Sequence, residues 1–290
     1  MAGPNLTRRQ LGRRLRNLRE QSGKRAADVE YAQIMSPSKL YRLEAGQNSS
    51  VSWPEVMALA QLYRADKDLE RELIRMAKAT LEAGWWEEFQ VPKWFQLFVE
   101  LEQIASAIYV YEVEFVTGLL QTEAYMRALY AVNQRLGTDA KNTLVASRLL
   151  RQREFWARTP PPRLEVVMSE GAVRRAIGGP HVHAEQRQAL IDAAGRPHVS
   201  LYVIPDAVGA HPTIGRPFML MEFPDDLDPS VVYSEAANGA KYDDSPAEFD
   251  HHRDTFEATR DMATALEEFH HEAFPVAQVE PQREQRRGVR

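Results

Sequence analysis

The chain has 290 residues, 44% of them hydrophobic and 27% charged, which suits one large or two ordinary folded domains. No apolar run approaches the ~18 residues needed to span a bilayer, and the basic N-terminal stretch lacks the apolar core of a secretion signal. With no cysteine, disulfides and thiolate metal sites are excluded, and a reducing cytoplasm is the expected location.

The net charge of −5 is unevenly spread. Residues 1–48 hold ten Lys/Arg and four acids, an excess of six, which leaves −11 for the remainder. A basic head on an acidic body points to a polyanionic partner for the head.

In chain order, residues 6–21 read as a helix, with Leu6, Leu11, Leu15 and Leu18 on one face, and Gly23 ends it. Residues 26–33 form a second, shorter helix, followed by an apolar turn at Ile34-Met35. Ser36 is a good N-cap and Pro37 a good first residue for a third helix that stops at Ala45-Gly46. Residues 53–63 and 66–83 complete a five-helix unit. Residues 97–112, 121–135 and 139–158 look helical. Strand-like runs follow at 164–170, 199–205, 217–223 and 231–236, with a helical stretch at 183–194 between the first two. A last helix is expected at 246–271.

These elements predict an α+β chain: an all-α five-helix domain over 1–83, then a larger α+β domain over 84–273 with a small, mostly antiparallel sheet. The tail 274–290 has no apolar periodicity and is expected to be disordered.

Two helices joined by a tight turn, the second capped and basic, make the helix-turn-helix plan, whose second helix enters the major groove. On that plan Pro37, Ser38, Tyr41 and Arg42 face the DNA, while Leu40 and Leu43 face the core. Arg42 is the candidate for a bidentate guanine contact, worth about 1–3 kcal/mol of discrimination. Lys39 reaches a base or a phosphate. Ser36, at a helix N-terminus, and Lys24 and Arg25, at the start of the preceding helix, suit phosphate. Asn48, in the loop behind the third helix, completes the candidate set.

The run LRNLREQSGKRAADVEYAQIMSPSKLYRLEAG resembles the DNA-binding domain of the Xre/Cro-type repressors. That resemblance implies a structural ion pair between Arg19 and Glu44. Ala26 departs from it, because relatives often place a phosphate-binding glutamine or threonine there. GWWEEF, YEVEFVTGLLQTEAYMRAL, RQREFW, LEVVMSEGAVRR and VSLYVIPDAVGAHPTIGRPFMLMEFPDD are similar to the actinobacterial WhiJ-like regulators, with Thr117 where proline is usual. In that family an Xre-type head precedes a C-terminal domain of unknown function. Membership implies a regulator of transcription, a partner protein encoded by a neighbouring gene and, for some members, an antitoxin-like role.

Other chemistry is outweighed by structural readings. Ser36-Pro37-Ser38-Lys39 has the S-x-x-K spacing of serine acylases but sits inside a capped helix. His181 and His183 could seed a metal site, with His211, His251 and His252 as further ligands, but three or four must converge, and a short H-x-H beside Gly178-Gly179-Pro180 reads as a loop. Glu165, Glu170, Glu222 and Glu235 fall on or beside strands and read as edge or solvent-facing carboxylates. His211 and Arg216, in the Gly/Pro-rich stretch 205–218, are candidates for ligand or partner contact. Trp85, Trp86, Trp94, Phe95 and Phe98 read as packing between domains. Arg148, Arg151, Arg153 and Arg158 read as a solvated helix face. No enzyme activity, cofactor or metal is expected. The partners expected are an operator duplex, a second copy of the chain and either a small protein or a small molecule. The rival is an antitoxin-like protein that sequesters a small partner and autoregulates.

Overall fold

The computed structural model describes residues 4–47, 51–81, 93–224, 229–236 and 239–273. Asn48, Trp85, Trp86 and the tail from 274 lie outside the described residues, as does the side chain of Trp94.

Five helices open the chain: α1 (Pro4–Gln21), α2 (Ala26–Tyr31), α3 (Pro37–Glu44), α4 (Trp53–Leu62) and α5 (Lys67–Ala79). Their apolar stripes close on one core that includes Leu11, Leu15, Val29, Leu40, Leu59 and Leu73. Leu6 lies on the same stripe by spacing but joins a different core. It is 1% exposed and clusters with Phe98, Leu101 and Tyr233 of the second unit. Its N–H donates to the buried carboxylate of Glu100. The apolar stripe of α1 is thus shared, Leu6 with the second unit and Leu11 and Leu15 with the first.

The second unit is a seven-stranded mixed sheet in the order β6-β5-β4-β1-β2-β3-β7. Its strands are β1 (Ala107–Glu112), β2 (Arg163–Ser169), β3 (Val199–Ile204), β4 (Phe218–Glu222), β5 (Val231–Ala236), β6 (Gly239–Asp243) and β7 (Thr264–Ala265). β1, β2 and β3 run parallel, and the other four pairings are antiparallel. Parallel neighbours need long crossovers. Here they are α7 (Glu123–Ala131) with α8 (Thr138–Trp156), then α9 (Glu170–Arg174) with α10 (Pro180–Ala194).

One face of the sheet packs Ile108, Val110, Val166 and Met221 with Phe155 of α8 and Leu190 of α10. The other packs Tyr109, Val167, Leu220 and Val232 with Phe249 and Phe256 of α11 (Pro246–Arg260).

The sheet is larger than the four strand-like runs suggest. Residues 97–112 are not one helix: α6 (Lys93–Ile104) ends, and β1 becomes a central strand. The run AIYVYE is buried on both faces, so it shows no alternation that would mark it as a strand. Residues 246–271 likewise divide into α11, β7 and α12 (Leu266–Ala273), because Thr264 and Ala265 pair with the edge of β3.

Two side-chain expectations are corrected. Arg151 is 6% exposed, not on a solvated face, and lies over the rings of Phe95 and Phe98. Its Nε is 2.9 Å from Glu102 Oε1, a carboxylate that is also buried. That pair is close but out of hydrogen-bond alignment, which leaves both Glu102 oxygens and Arg151 Nε without a hydrogen bond. Glu165 is also buried rather than solvent-facing. β2 is an interior strand, and Arg163 and Arg260 close on the Glu165 carboxylate at 2.7 and 3.2 Å.

Candidate nucleic-acid interface

The geometry of α3 follows from its ends. Ser36 takes an extended conformation, and its Oγ accepts from the Lys39 N–H at 3.4 Å. Pro37 occupies the first helical position, where a missing N–H costs nothing. At the other end Gly46 has φ +67, and the Gln47 N–H returns to the Arg42 carbonyl at 2.9 Å, which closes the last turn. A Cβ on Gly46 would fall 2.7 Å from Arg9 Cα, so α1 and the end of α3 touch at backbone distance there.

The same closeness recurs at Gly12, where a Cβ would meet the Leu43 carbonyl oxygen at 2.4 Å. Across this contact Arg19 and Glu44 form a two-pronged ion pair, Nε to Oε1 at 2.6 Å and Nη2 to Oε2 at 3.0 Å. Arg19 Nη1 also donates to the Lys24 carbonyl at 3.3 Å, which ties the end of α1 to the start of α2. The Glu44 hydrogen bond raises the Arg19 pKa against opposing desolvation. The angle between α1, α2 and α3 is therefore set by backbone contact and a largely buried fork.

With α3 so held, Leu40 and Leu43 point into the core, and Ser36, Ser38, Tyr41 and Arg42 are exposed. Pro37 and Lys39 are half-buried. Tyr41 is 58% exposed, unusual for a large ring on a short helix. Arg25 is exposed and Lys24 half-buried at the start of α2. Among the described residues none supplies an anionic partner to Lys24, Arg25 or Arg42.

Lys39 differs from these three. Its Nζ is 2.6 Å from Glu55 Oε1 on α4, so its charge is already engaged. Glu55 sits in the first turn of α4, where a carboxylate is favoured, and only the fold brings it beneath α3. Tyr31, at the end of α2, is 92% exposed and went unremarked in the sequence because its spacing is that of an ordinary helix position.

The remaining candidates lie in the sheet unit. His211 sits between β3 and β4, its Nδ1 3.1 Å from Thr213 Oγ1 and its ring edge-on to Tyr111. Burial lowers its pKa. Arg216 is exposed in the same connection, and among the described residues no hydrogen bond or ring contact joins it to His211. Among the histidines, His183 Nε2 bonds the Val173 carbonyl at 2.8 Å and His252 Nδ1 the Glu248 carbonyl at 2.8 Å. Among the described residues no group of three or more His, Asp and Glu could hold a metal ion. None of the described helices is long and apolar enough to cross a membrane.

Glu170 accepts from the Asp206 N–H at 2.8 Å, and Glu222 from the Tyr109 hydroxyl at 3.3 Å. Glu222 also pairs with Arg253. Glu235 accepts from the Tyr233 hydroxyl at 3.0 Å. Sequence reasoning missed Glu112 and its relation to Arg148, because one lies at a strand end and the other on a distant helix.

Comparison with known proteins finds two family matches. A helix-turn-helix domain matches residues 10–73, and a domain of unknown function, DUF5753, matches residues 95–270. Neither a curated protein nor a solved structure matches the chain. The helix-turn-helix match supports a DNA-binding regulator. The DUF5753 match covers more than half of the sequence, so the chain belongs to that family, with a helix-turn-helix domain in front.

Proposed function

We propose that the protein is a sequence-specific transcription regulator that binds an operator through α3 and receives a signal through its sheet unit. The observation that carries this reading is the outward set on α3, Ser38, Tyr41 and Arg42, flanked by the unpaired Lys24 and Arg25. An arginine with no internal partner on the exposed face of a rigid helix can form a bidentate contact to guanine. Lysine at a helix start suits phosphate. On this reading residues 1–83 and 84–273 act as head and receiver, and the extreme C-terminal stretch belongs to neither.

A homodimer fits the proposal, because two heads on half-sites one helical turn apart raise affinity and read a longer sequence. The resemblance to WhiJ-like regulators supports a small partner protein or small molecule as the signal. α1 is the route between the units. Its Leu6 is in the sheet core, its Arg9 is 2.9 Å from Asp244 beyond β6, and its Gly12 bears on α3. A change at the sheet edge that moves α1 moves the recognition helix with it. The rival reading, sequestration of a small partner with DNA binding confined to autoregulation, draws on the −11 charge of the chain beyond residue 48. Co-expression of a neighbouring gene product, with a growth readout, separates the two.

The test of DNA recognition is selection of duplexes by the full chain, followed by two variants. Arg42→Ala should relax preference at one base pair, at about 1–3 kcal/mol. Lys24→Ala should weaken all sequences alike and lower the salt slope by about 1. Equal losses on every sequence for both variants would remove the base-contact assignment.

A further inference from the structure

We infer that the outer edge of β6 is a dimerisation edge: a second copy of the chain adds its own β6 antiparallel to it, about a two-fold axis through Tyr242, and joins the two sheets into one.

The sheet order leaves two edges, and they differ. β7 is two residues long and runs straight into α12, so it offers almost no ladder. β6 is five residues long, and all five pair with β5, its one strand neighbour among the described residues. An outer strand of this length, with no proline in it, is a template for another strand. Its side chains are sorted by face. Ala240 and Tyr242 pack with the core that contains Phe98, and the Tyr242 ring lies 5.2 Å from that of Tyr233. Lys241 and Asp243 take the opposite face, where Lys241 is exposed and its Nζ is 3.0 Å from Asp243 Oδ2.

Charge and symmetry select the occupant. In an antiparallel ladder every second residue turns its backbone groups outward. A strand that pairs with its own copy must match residues of the same set, so the two-fold passes through a residue and not between two. Through Lys241 it sets two lysines opposite each other, and through Asp243 two aspartates, and like charges so placed are destabilising. Through Ala240 it sets Lys241 against Gly239. Through Tyr242 it sets Lys241 against Asp243 of the second copy, twice over. The four charges then alternate around one square, and on the other face Tyr242 meets its own copy as an aromatic pair. A lysine on an outer strand deters most partners. This strand is complementary to itself.

The edge also lies where a dimer bears on the heads. Asp244, next to the strand, holds Arg9 of α1 at 2.9 Å, and Gly12 of α1 bears on α3. A two-fold at Tyr242 therefore relates two copies of α1, and through them two heads. That consequence rests on the reading of the protein as a regulator, but the dimer itself does not. A ladder this short is a small contact, in the class of transient interfaces, so the free protein should dimerise weakly.

Sedimentation equilibrium of the full chain without DNA should give a dimer with a dissociation constant on the order of 10 µM. Lys241→Asp and Asp243→Lys should each weaken self-association at least tenfold, with melting temperatures close to that of the parent because both changes are at the surface. An equimolar mixture of the two should dimerise at least as tightly as the parent, since every opposed pair is then one acid and one base. A purely intramolecular effect of either change gives no such rescue. The chain has no cysteine, so the register can also be read directly. Facing Cα atoms in a ladder are about 4.5–5.5 Å apart, within reach of a disulfide. Lys241→Cys mixed with Asp243→Cys should cross-link between copies several-fold faster than either variant alone. The inference is overturned if the chain stays monomeric at about 100 µM, if both charge variants dimerise as the parent does, or if the cysteine mixture gains no rate over its components. A dimer that behaves as expected, but whose loss in Lys241→Asp leaves operator affinity unchanged, keeps the interface and removes only its part in DNA binding.

Discussion

Arg19 and Glu44 stand 25 positions apart in sequence and meet through two hydrogen bonds at the end of α3. The fork is mostly shielded from solvent, with side chains 13% and 4% exposed. Burial, and after it the nearby Glu44 carboxylate, raises the pKa of the Tyr63 hydroxyl.

Removing one arm of such a pair leaves a desolvated charge alone. Glu44→Ala should lower stability by about 3 kcal/mol, and Arg19→Met by less, because the methionine stem keeps packing. The double variant should recover much of the loss. Urea unfolding of the four proteins, analysed as a double-mutant cycle, checks this. Additive losses would mean that the pair contributes no coupling.

Gly12→Ala tests the contact between α1 and α3. Its Cβ would lie 2.4 Å from one backbone oxygen, that of Leu43, and 2.7 Å from another, that of Glu44, and neither can rotate away. The helices must separate, at about 1–3 kcal/mol. Because α3 is displaced, duplex affinity should fall in the same variant. An unchanged melting temperature with unchanged binding would show that the two helices are free to slide.

The Lys39–Glu55 pair predicts a gain. Glu55→Gln frees the Lys39 ammonium, now 2.6 Å from a carboxylate, at the edge of the proposed DNA face. Affinity for duplexes of any sequence should rise, with the salt slope steeper by up to about 1. Stability should change by no more than about 1 kcal/mol, since both groups are partly exposed. A flat salt dependence across parent and variant would place Lys39 away from the phosphates.

Glu112 gives a pH signature. Its carboxyl ordinarily titrates near 4.5, and in the folded chain it holds its proton up to about 8. Between those values the folded state binds a proton that the unfolded state has released. This contribution therefore falls as pH rises through that window and is constant above it. Glu112→Gln, neutral throughout, should flatten the decline and be more stable near neutral pH by roughly 1–3 kcal/mol. Unfolding midpoints of parent and variant across the window decide it, and parallel profiles would contradict the shift.

Much of the first unit is legible from residue order. Ser36, Pro37 and Gly46 punctuate α3, and the leucine spacing of α1 marks its buried face, because caps and helical periodicity are local signals. The α+β class of the whole chain is legible in the same way, from helical periodicity beside strand-like runs such as VSLYVIP. β1 escapes notice because burial on both faces erases alternation. β6 and β7 escape it because short edge strands carry little apolar pattern of their own.

Partnership is the part that residue order withholds. Leu6 looks like one more member of a helical stripe, yet it belongs to the core of the other unit. Arg151 and Arg148 read as a solvated face until α6 and the sheet enclose one and Gln121 holds the other. Lys39 looks free until Glu55 arrives from the next helix. Local backbone preference and periodicity act within a few residues and survive in the linear chain. The fate of a charge depends on which distant group shares its low-dielectric surroundings, and packing alone decides that.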